Sequence, residues 1–213
     1  MSAKLISYTS MKDQTIMDII CYCARVSNPA NQELNQHNDK LIQYLIKNHH
    51  WSPFEMVSIC LEITTTRDIS RQILRHRSFS FQEFSQRYAK VEEQSIIREA
   101  RLQDNVNRQN SIFTEDPDIT DKWNQLQTKI KDTSFELYRE ALELGIAKEQ
   151  ARVLLPEGLT TTTLYMNGTL RSWIHYIELR STVGTQKEHQ LLAIECAKAI
   201  REIFPNIMNF VKA

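Results

Sequence analysis

The stretch from Val57 to Thr66 constrains this chain most. Val57, Ile59, Leu61 and Ile63 alternate with Ser58, Cys60, Glu62 and Thr64, the period-two pattern of a strand with one face buried. Lys4 to Tyr8 predicts another short strand, and Thr160 to Met166 is strand-like. Between them the period changes to that of a helix. Ile16, Ile19, Ile20 and Cys23 predict a helix that Asn28-Pro29 should end, and Asp39 should cap a second carrying Leu41, Ile42, Leu45 and Ile46. His49 to Glu55 reads as a polar turn with two histidines, and Asp68 should cap a helix through Ile73 and Leu74. Glu92 to Thr120 is polar, with Asp116-Pro117-Asp118 as a turn signal, a surface excursion or an interface segment. A long amphipathic helix follows, with Trp123, Leu126, Ile130, Leu137, Ala141 and Leu144 on one side and Gly145 closing it. Ala151 to Pro156 is a short apolar piece bearing Arg152, and Leu170 to Leu179 and Glu188 to Phe204 are the last helices. Strands and helices interleave without regular alternation. That favours an α+β fold, a central antiparallel or mixed sheet with flanking helices, in a single domain over residues 1–213.

Composition narrows the function. The 26 basic and 26 acidic residues cancel, so the chain is no polycation made for nucleic acid polymers. Basic character is local: Arg67, Arg71, Arg75, Arg77 and Arg87 fall close together, accompanied within that interval by Asp68 and Glu83. Cys21, Cys23, Cys60 and Cys196 have neither zinc-ligand spacing nor the density of a disulfide scaffold; they are expected to be reduced and buried, and no metal site is expected. No apolar run reaches signal-peptide or membrane-span length, so a soluble, cytoplasmic protein is expected. The four glycines, Gly145, Gly158, Gly168 and Gly184, are scattered. Neither a Gly-x-Gly-x-x-Gly dinucleotide turn nor a P-loop is present.

Chemistry concentrates in Arg75-His76-Arg77-Ser78-Phe79-Ser80-Phe81-Gln82-Glu83-Phe84-Ser85-Gln86-Arg87-Tyr88. Forked guanidinium donors for phosphate or carboxylate stand beside flat aromatic faces suited to a ring, and a nucleotide has both parts. A second cluster follows on a helix, where Arg171 and His175 share a face and Arg180 lies nearly opposite Arg171. No feature gives Ser85 a base or an orienting acid, so it is not read as a nucleophile. Two other readings fit parts of the pattern. One is a single-stranded nucleic-acid module stacking bases on Phe79, Phe81, Phe84 and Tyr88, which the neutral balance and Glu83 oppose; the other is a helical assembly protein whose arginines only pair between subunits.

The Arg-His-Arg run, followed by Ser80, Glu83, Ser85 and Arg87, resembles the signature of the flavin-dependent thymidylate synthases, and Gly168 to Arg180 resembles that family's C-terminal motif. Gln82 departs, standing where the family has Asn. The resemblance runs from about Ala24 to Arg180. It implies reductive methylation of dUMP to dTMP, with FAD as cofactor, NADPH as reductant and methylenetetrahydrofolate as one-carbon donor, in a homotetramer with flavin sites shared between subunits. By position, Gln72, Arg75, Glu83, Phe84, Ser85, Gln86, Arg87, Arg152 and Arg180 would line the dUMP site. Arg152 would hold the phosphate region, and Arg180, as the catalytic residue, would meet the uracil edge and assist ionisation at N3. Ser27, His50, Ser52, Arg75, His76, Arg77, Glu83, Arg171 and His175 would contact FAD, with either Asn167 or Thr169 filling one further slot.

Overall fold

The computed structural model describes residues 1–33 and 37–213. Its centre is an antiparallel four-stranded sheet in the order β1-β2-β6-β3, built from β1 (Ser2–Tyr8), β2 (Ser58–Thr66), β6 (Thr161–Thr169) and β3 (Ser80–Glu83). The alternation in Val57–Thr66 does what the period demands: Ile59, Leu61 and Ile63 are fully buried, while Cys60, Glu62 and Thr64 are half-buried on the other face. Strand β6 runs three residues further than the sequence pattern suggests, because β2 keeps pairing as far as Ser58 opposite Thr169. Gly168 fits there because a Cβ would lie 2.4 Å from the Phe79 ring.

Four helices cover the apolar face: α1 (Ile16–Ala24), α2 (Asn38–Lys47), α6 (Leu170–Arg180) and α7 (Lys187–Arg201). They bury Ile20, Ile42, Trp173, Tyr176 and Ile200 against the sheet, and single-turn segments at Ser52–Met56 and Pro205–Phe210 add Phe54, Ile207 and Phe210. A smaller cluster of Val91, Phe135, Tyr138, Ala151 and Leu155 lies beneath α4 (Pro117–Glu143) and α5 (Lys148–Ala151). Tyr138 both fills it and accepts the Val91 N–H at 3.1 Å.

Several local expectations shift. The first helix ends at Ala24, before Asn28-Pro29, with the Arg25 N–H still bonded to the Cys21 and Tyr22 carbonyls. Helix α2 begins at Asn38 with His37 as its N-cap, and Asp39 lies in its first turn. Asp68 is likewise in the first turn of α3 (Arg67–Ile73), whose N-cap is Thr66; its carboxylate is held by Thr66 Oγ1 at 2.6 Å and by Arg98. Asp116-Pro117-Asp118 starts α4, with Asp116 accepting the Asp118 and Ile119 N–H groups and Pro117 at the first helical position. The polar stretch before it contains a hairpin, β4 (Arg101–Gln103) and β5 (Ser111–Phe113). On α4 the side packed on the rest of the chain is Gln127, Ser134, Phe135 and Tyr138, whereas Trp123, Leu126, Ile130 and Leu137 are 39–51% exposed. All four cysteines are free, but only Cys21 and Cys196 are buried.

Candidate active site

Helix α3 is short and nearly all of its polar residues are used. Arg67, Ser70, Arg71 and Gln72 project from it, with Arg67 and Arg71 one turn apart on one face. Arg67 is 7% exposed, and its Nη1 lies 3.5 Å from Glu83 Oε1. The same oxygen accepts from Ser70 Oγ at 2.9 Å and Thr162 Oγ1 at 3.0 Å. Three groups from two elements thus fix the carboxylate at the end of β3.

Beside this clamp is a cavity of about 440 Å³ lined by Arg67, Arg71, Gln86, Arg152, Glu149 and Glu157 among others. Its electrostatics are those of an anion site. Arg67 Nη1 and Gln86 Nε2 are both buried and lack a hydrogen-bond acceptor, a state that costs about 1–3 kcal/mol per donor and that a bound anion would relieve. Arg71 pairs loosely with Glu157, Arg87 with Glu149 at 3.3 Å, and Arg152 Nε donates to the Glu149 carbonyl. These exposed contacts are weak enough to exchange for a ligand.

A second cluster forms where α3, α6 and α7 meet. Arg180 Nε donates to His76 Nε2 at 2.9 Å, so that ring nitrogen carries no proton. Burial first, then Arg180, His175 and Arg75, draw the His76 pKa down to about 4. The fully buried His189 is drawn to about 3 by burial and then by Arg180 and His76. Arg180 is therefore anchored by a neutral ring, which keeps its charge uncancelled and its terminal nitrogens available. His76 packs edge-on against Tyr176 at 5.0 Å.

A third feature is a cavity of about 560 Å³ between α6 and the Ser52–Met56 turn, lined by His49, Trp51, Glu55, Ser78, Arg171, Ser172 and His175. Arg171 is paired with Glu55. A forked cation, hydroxyls, an imidazole and an indole face suit a ligand with phosphates and a flat ring.

The expected site residues divide among these three places. Gln86, Arg152 and, through Arg67, Glu83 belong to the first; His76, Arg180 and Gln72 to the second; Arg171 and His175 to the third. The third cavity is walled by His49, whereas His50 stacks edge-on with Tyr44 at 5.8 Å. Thr169 caps α6 by accepting the Ser172 N–H, and Asn167 is exposed on β6. Arg75, Arg77, Phe84, Ser85 and Arg87 are exposed in or after the signature, Ser52 is exposed in the turn beside the third cavity, and Ser27 is exposed after α1. Arg67 and Arg71 carry no role in the sequence reading beyond local basic charge; their four-residue spacing with Arg75 is the signal that groups them. Nothing local marked His189, which is brought in by α7. Among the described residues no group of three or more His, Cys, Asp or Glu could hold a metal, and no helix is long and apolar enough to cross a membrane.

Residues 4–206 match the family model described as thymidylate synthase complementing protein. The chain is 51% identical over 210 residues, 97% of each chain, to a probable flavin-dependent thymidylate synthase of Paramecium bursaria Chlorella virus 1. It is 54% identical over 190 residues, 89% of this chain and 86% of the relative, to the flavin-dependent thymidylate synthase of Synechocystis sp.. Its fold superposes with a TM-score of 0.84 on a UMP/dUMP methylase, PolB from Streptomyces cacaoi, bound with 5-Br dUMP; that match is 24% identical and covers 98% of this chain and 93% of the other.

Proposed function

The chain belongs to the flavin-dependent thymidylate synthases, and on that premise we propose that it methylates dUMP to dTMP with FAD, NADPH as reductant and methylenetetrahydrofolate as one-carbon donor. The observation that carries the nucleotide part is the pair of buried, acceptor-less donors, Arg67 Nη1 and Gln86 Nε2, on a cavity that also holds Arg71 and Arg152. A phosphate would meet donors already stripped of water, supported by two further guanidiniums. Glu83, fixed by Ser70 and Thr162, stands behind this site through Arg67. Arg180 would hold the pyrimidine: a fixed cation stabilises negative charge developing on the ring when N3 is ionised.

The third cavity fits a flavin nucleotide by its donor set. Arg171, Ser78 and His175 would hold it, Arg171 exchanging its exposed Glu55 partner for a phosphate, with Trp51 as an apolar wall. Bound there, FAD supplies the redox chemistry, while the protein supplies position and charge.

The reading includes a homotetramer with shared sites, and two observations support it. The dUMP residues are divided, with Arg152 on one cavity and Arg180 in another cluster, so a second copy can complete what one protomer separates. The apolar row of Trp123, Leu126, Ile130 and Leu137 is uncovered on α4, as a subunit interface requires. The free cysteines suit a cytoplasmic setting, and the whole of 1–213 acts as one domain.

The deciding experiment follows the visible spectrum of the FAD-loaded protein anaerobically on adding NADPH, with and without dUMP, beside dTMP formation. Retained flavin that bleaches at a dUMP-sensitive rate, with dTMP produced, is the expected result. Arg180→Ala should lose turnover almost completely at an unchanged thermal midpoint. A folded protein that neither retains flavin nor forms dTMP would overturn the reading; unaltered turnover in the variant would remove Arg180 from the reaction.

A further inference from the structure

A line of polar side chains, outside both cavities, joins the β4–β5 hairpin to the core. Arg101 Nη2 donates to Glu188 Oε1 at 2.6 Å, and Gln186 Nε2 donates to Glu188 Oε2 at 3.0 Å. Gln72 Nε2 then donates to Gln186 Oε1 at 2.7 Å, and Gln72 Oε1 lies 3.2 Å from His189 Nδ1. The line ends at the Tyr176 hydroxyl, 3.1 Å from His189 Nε2. Glu188 is 6% exposed, and His189 and Tyr176 are sealed from solvent.

The direction of every bond follows from the first. A carboxylate paired with a guanidinium can only accept. Gln186 must therefore turn its NH2 to Glu188 and its carbonyl to Gln72. Gln72 must then turn its NH2 to Gln186 and its carbonyl to His189. That ring has to carry its proton on Nδ1, which leaves Nε2 bare to accept from Tyr176. Glutamine amides have two nearly isosteric orientations, and one buried charge selects between them along the whole line.

We propose that Glu188 is a positioning residue of the nucleotide site, fixing through Gln186 which end of the Gln72 amide donates and which accepts. This rests on the reading that places Gln72 at that site. Gln72 follows Arg71 on α3 and precedes Arg75-His76 by one turn, so its remaining N–H and lone pair belong to the donor-acceptor pattern offered to a pyrimidine. A flipped amide would present an acceptor where the ligand needs a donor, the kind of mismatch that leaves buried polar groups unpaired. The proposal also gives the polar segment before α4 a task, because its Arg101 pairs with the buried Glu188.

The test uses the full-length, FAD-loaded protein and four variants: Gln72→Met, Gln186→Met, Glu188→Gln and the double variant Gln72→Met/Gln186→Met. Measured are KM for dUMP, kcat, flavin retention and the thermal midpoint. Gln72→Met should raise the dUMP KM about tenfold, the loss of roughly one net hydrogen bond. Gln186→Met should reproduce most of that rise with kcat within about twofold and flavin retention intact, and the double variant should be no worse than Gln72→Met alone, the sign of one coupled unit. Glu188→Gln, which preserves volume but lets the amides flip, should raise KM about threefold and serves if Gln186→Met folds poorly. A KM effect in Gln72→Met that neither Gln186→Met nor Glu188→Gln shares, or multiplicative losses in the double variant, would overturn the positioning role. An unchanged dUMP KM in Gln72→Met itself would instead refute the placement of Gln72 at the nucleotide site, and the proposal with it.

Discussion

Replacing Arg67 with methionine separates what this arginine does for the fold from what it does for a ligand. Its side chain is 8% exposed, and its Nη1 approaches Glu83 at 3.5 Å without making a hydrogen bond. Methionine keeps most of the apolar stem and deletes the buried donor. Glu83 retains Ser70 and Thr162 on the same oxygen, so the lost pairing and the relieved orphan donor act in opposite directions; the net change in stability should stay within about 1 kcal/mol. Binding is not balanced in this way. A charge-assisted bond to phosphate from a pre-desolvated donor contributes about 1.5–3 kcal/mol, so dUMP affinity should fall about 10- to 150-fold. Calorimetric titration with dUMP and with deoxyuridine, on FAD-loaded wild type and variant, reads the two contributions apart. Deoxyuridine lacks the phosphate and should bind both proteins alike. Equal weakening of the two ligands would mean that Arg67 acts only through Glu83, and an undiminished dUMP affinity would mean that the buried donor does not meet the phosphate.

Two further outcomes are expected. Gly168→Ala puts a Cβ 2.4 Å and 2.6 Å from the Phe79 ring, itself packed on Trp173 at 4.8 Å, and should destabilise by about 1–3 kcal/mol through overpacking; chemical denaturation measures it, and an unchanged midpoint would show that the ring moves freely. Stability should also depend on pH between about 6.5 and 3. His76 and His189 are held neutral, at about 4 and about 3, so in this window the unfolded chain binds more protons than the folded one. Stability is then complete above pH 6.5 and lost as pH falls, with a slope approaching about 1.4 kcal/mol per pH unit for the sealed His189 and a smaller one for the half-exposed His76. His189→Gln should flatten that slope; a profile identical to wild type would assign the dependence to carboxylates.

The sequence by itself determined what depends on local periodicity and residue chemistry. The alternation in Val57–Thr66 dictates a half-buried strand whatever its partners, and the density of arginines and aromatics around Arg75–Tyr88 raises the expectation of an anion and ring site. Helix starts are less legible, because a cap depends on which oxygen reaches the free N–H groups: the sequence places Asp68 to cap α3, but Thr66 is the N-cap and Thr66 and Arg98 hold the Asp68 carboxylate. The tertiary structure alone decided who meets whom. Pairing of β3 with β6 brings Thr162 to Glu83, packing of α7 brings His189 to Gln72 and joins Glu188 to it through Gln186, and the fold turns Trp123 and Leu126 outward although their spacing matches a buried stripe. Residues far apart in the chain leave no periodic trace of such meetings, so Arg67 and Gln86 could be recognised as waiting donors only once burial showed that no acceptor within the described residues reaches them.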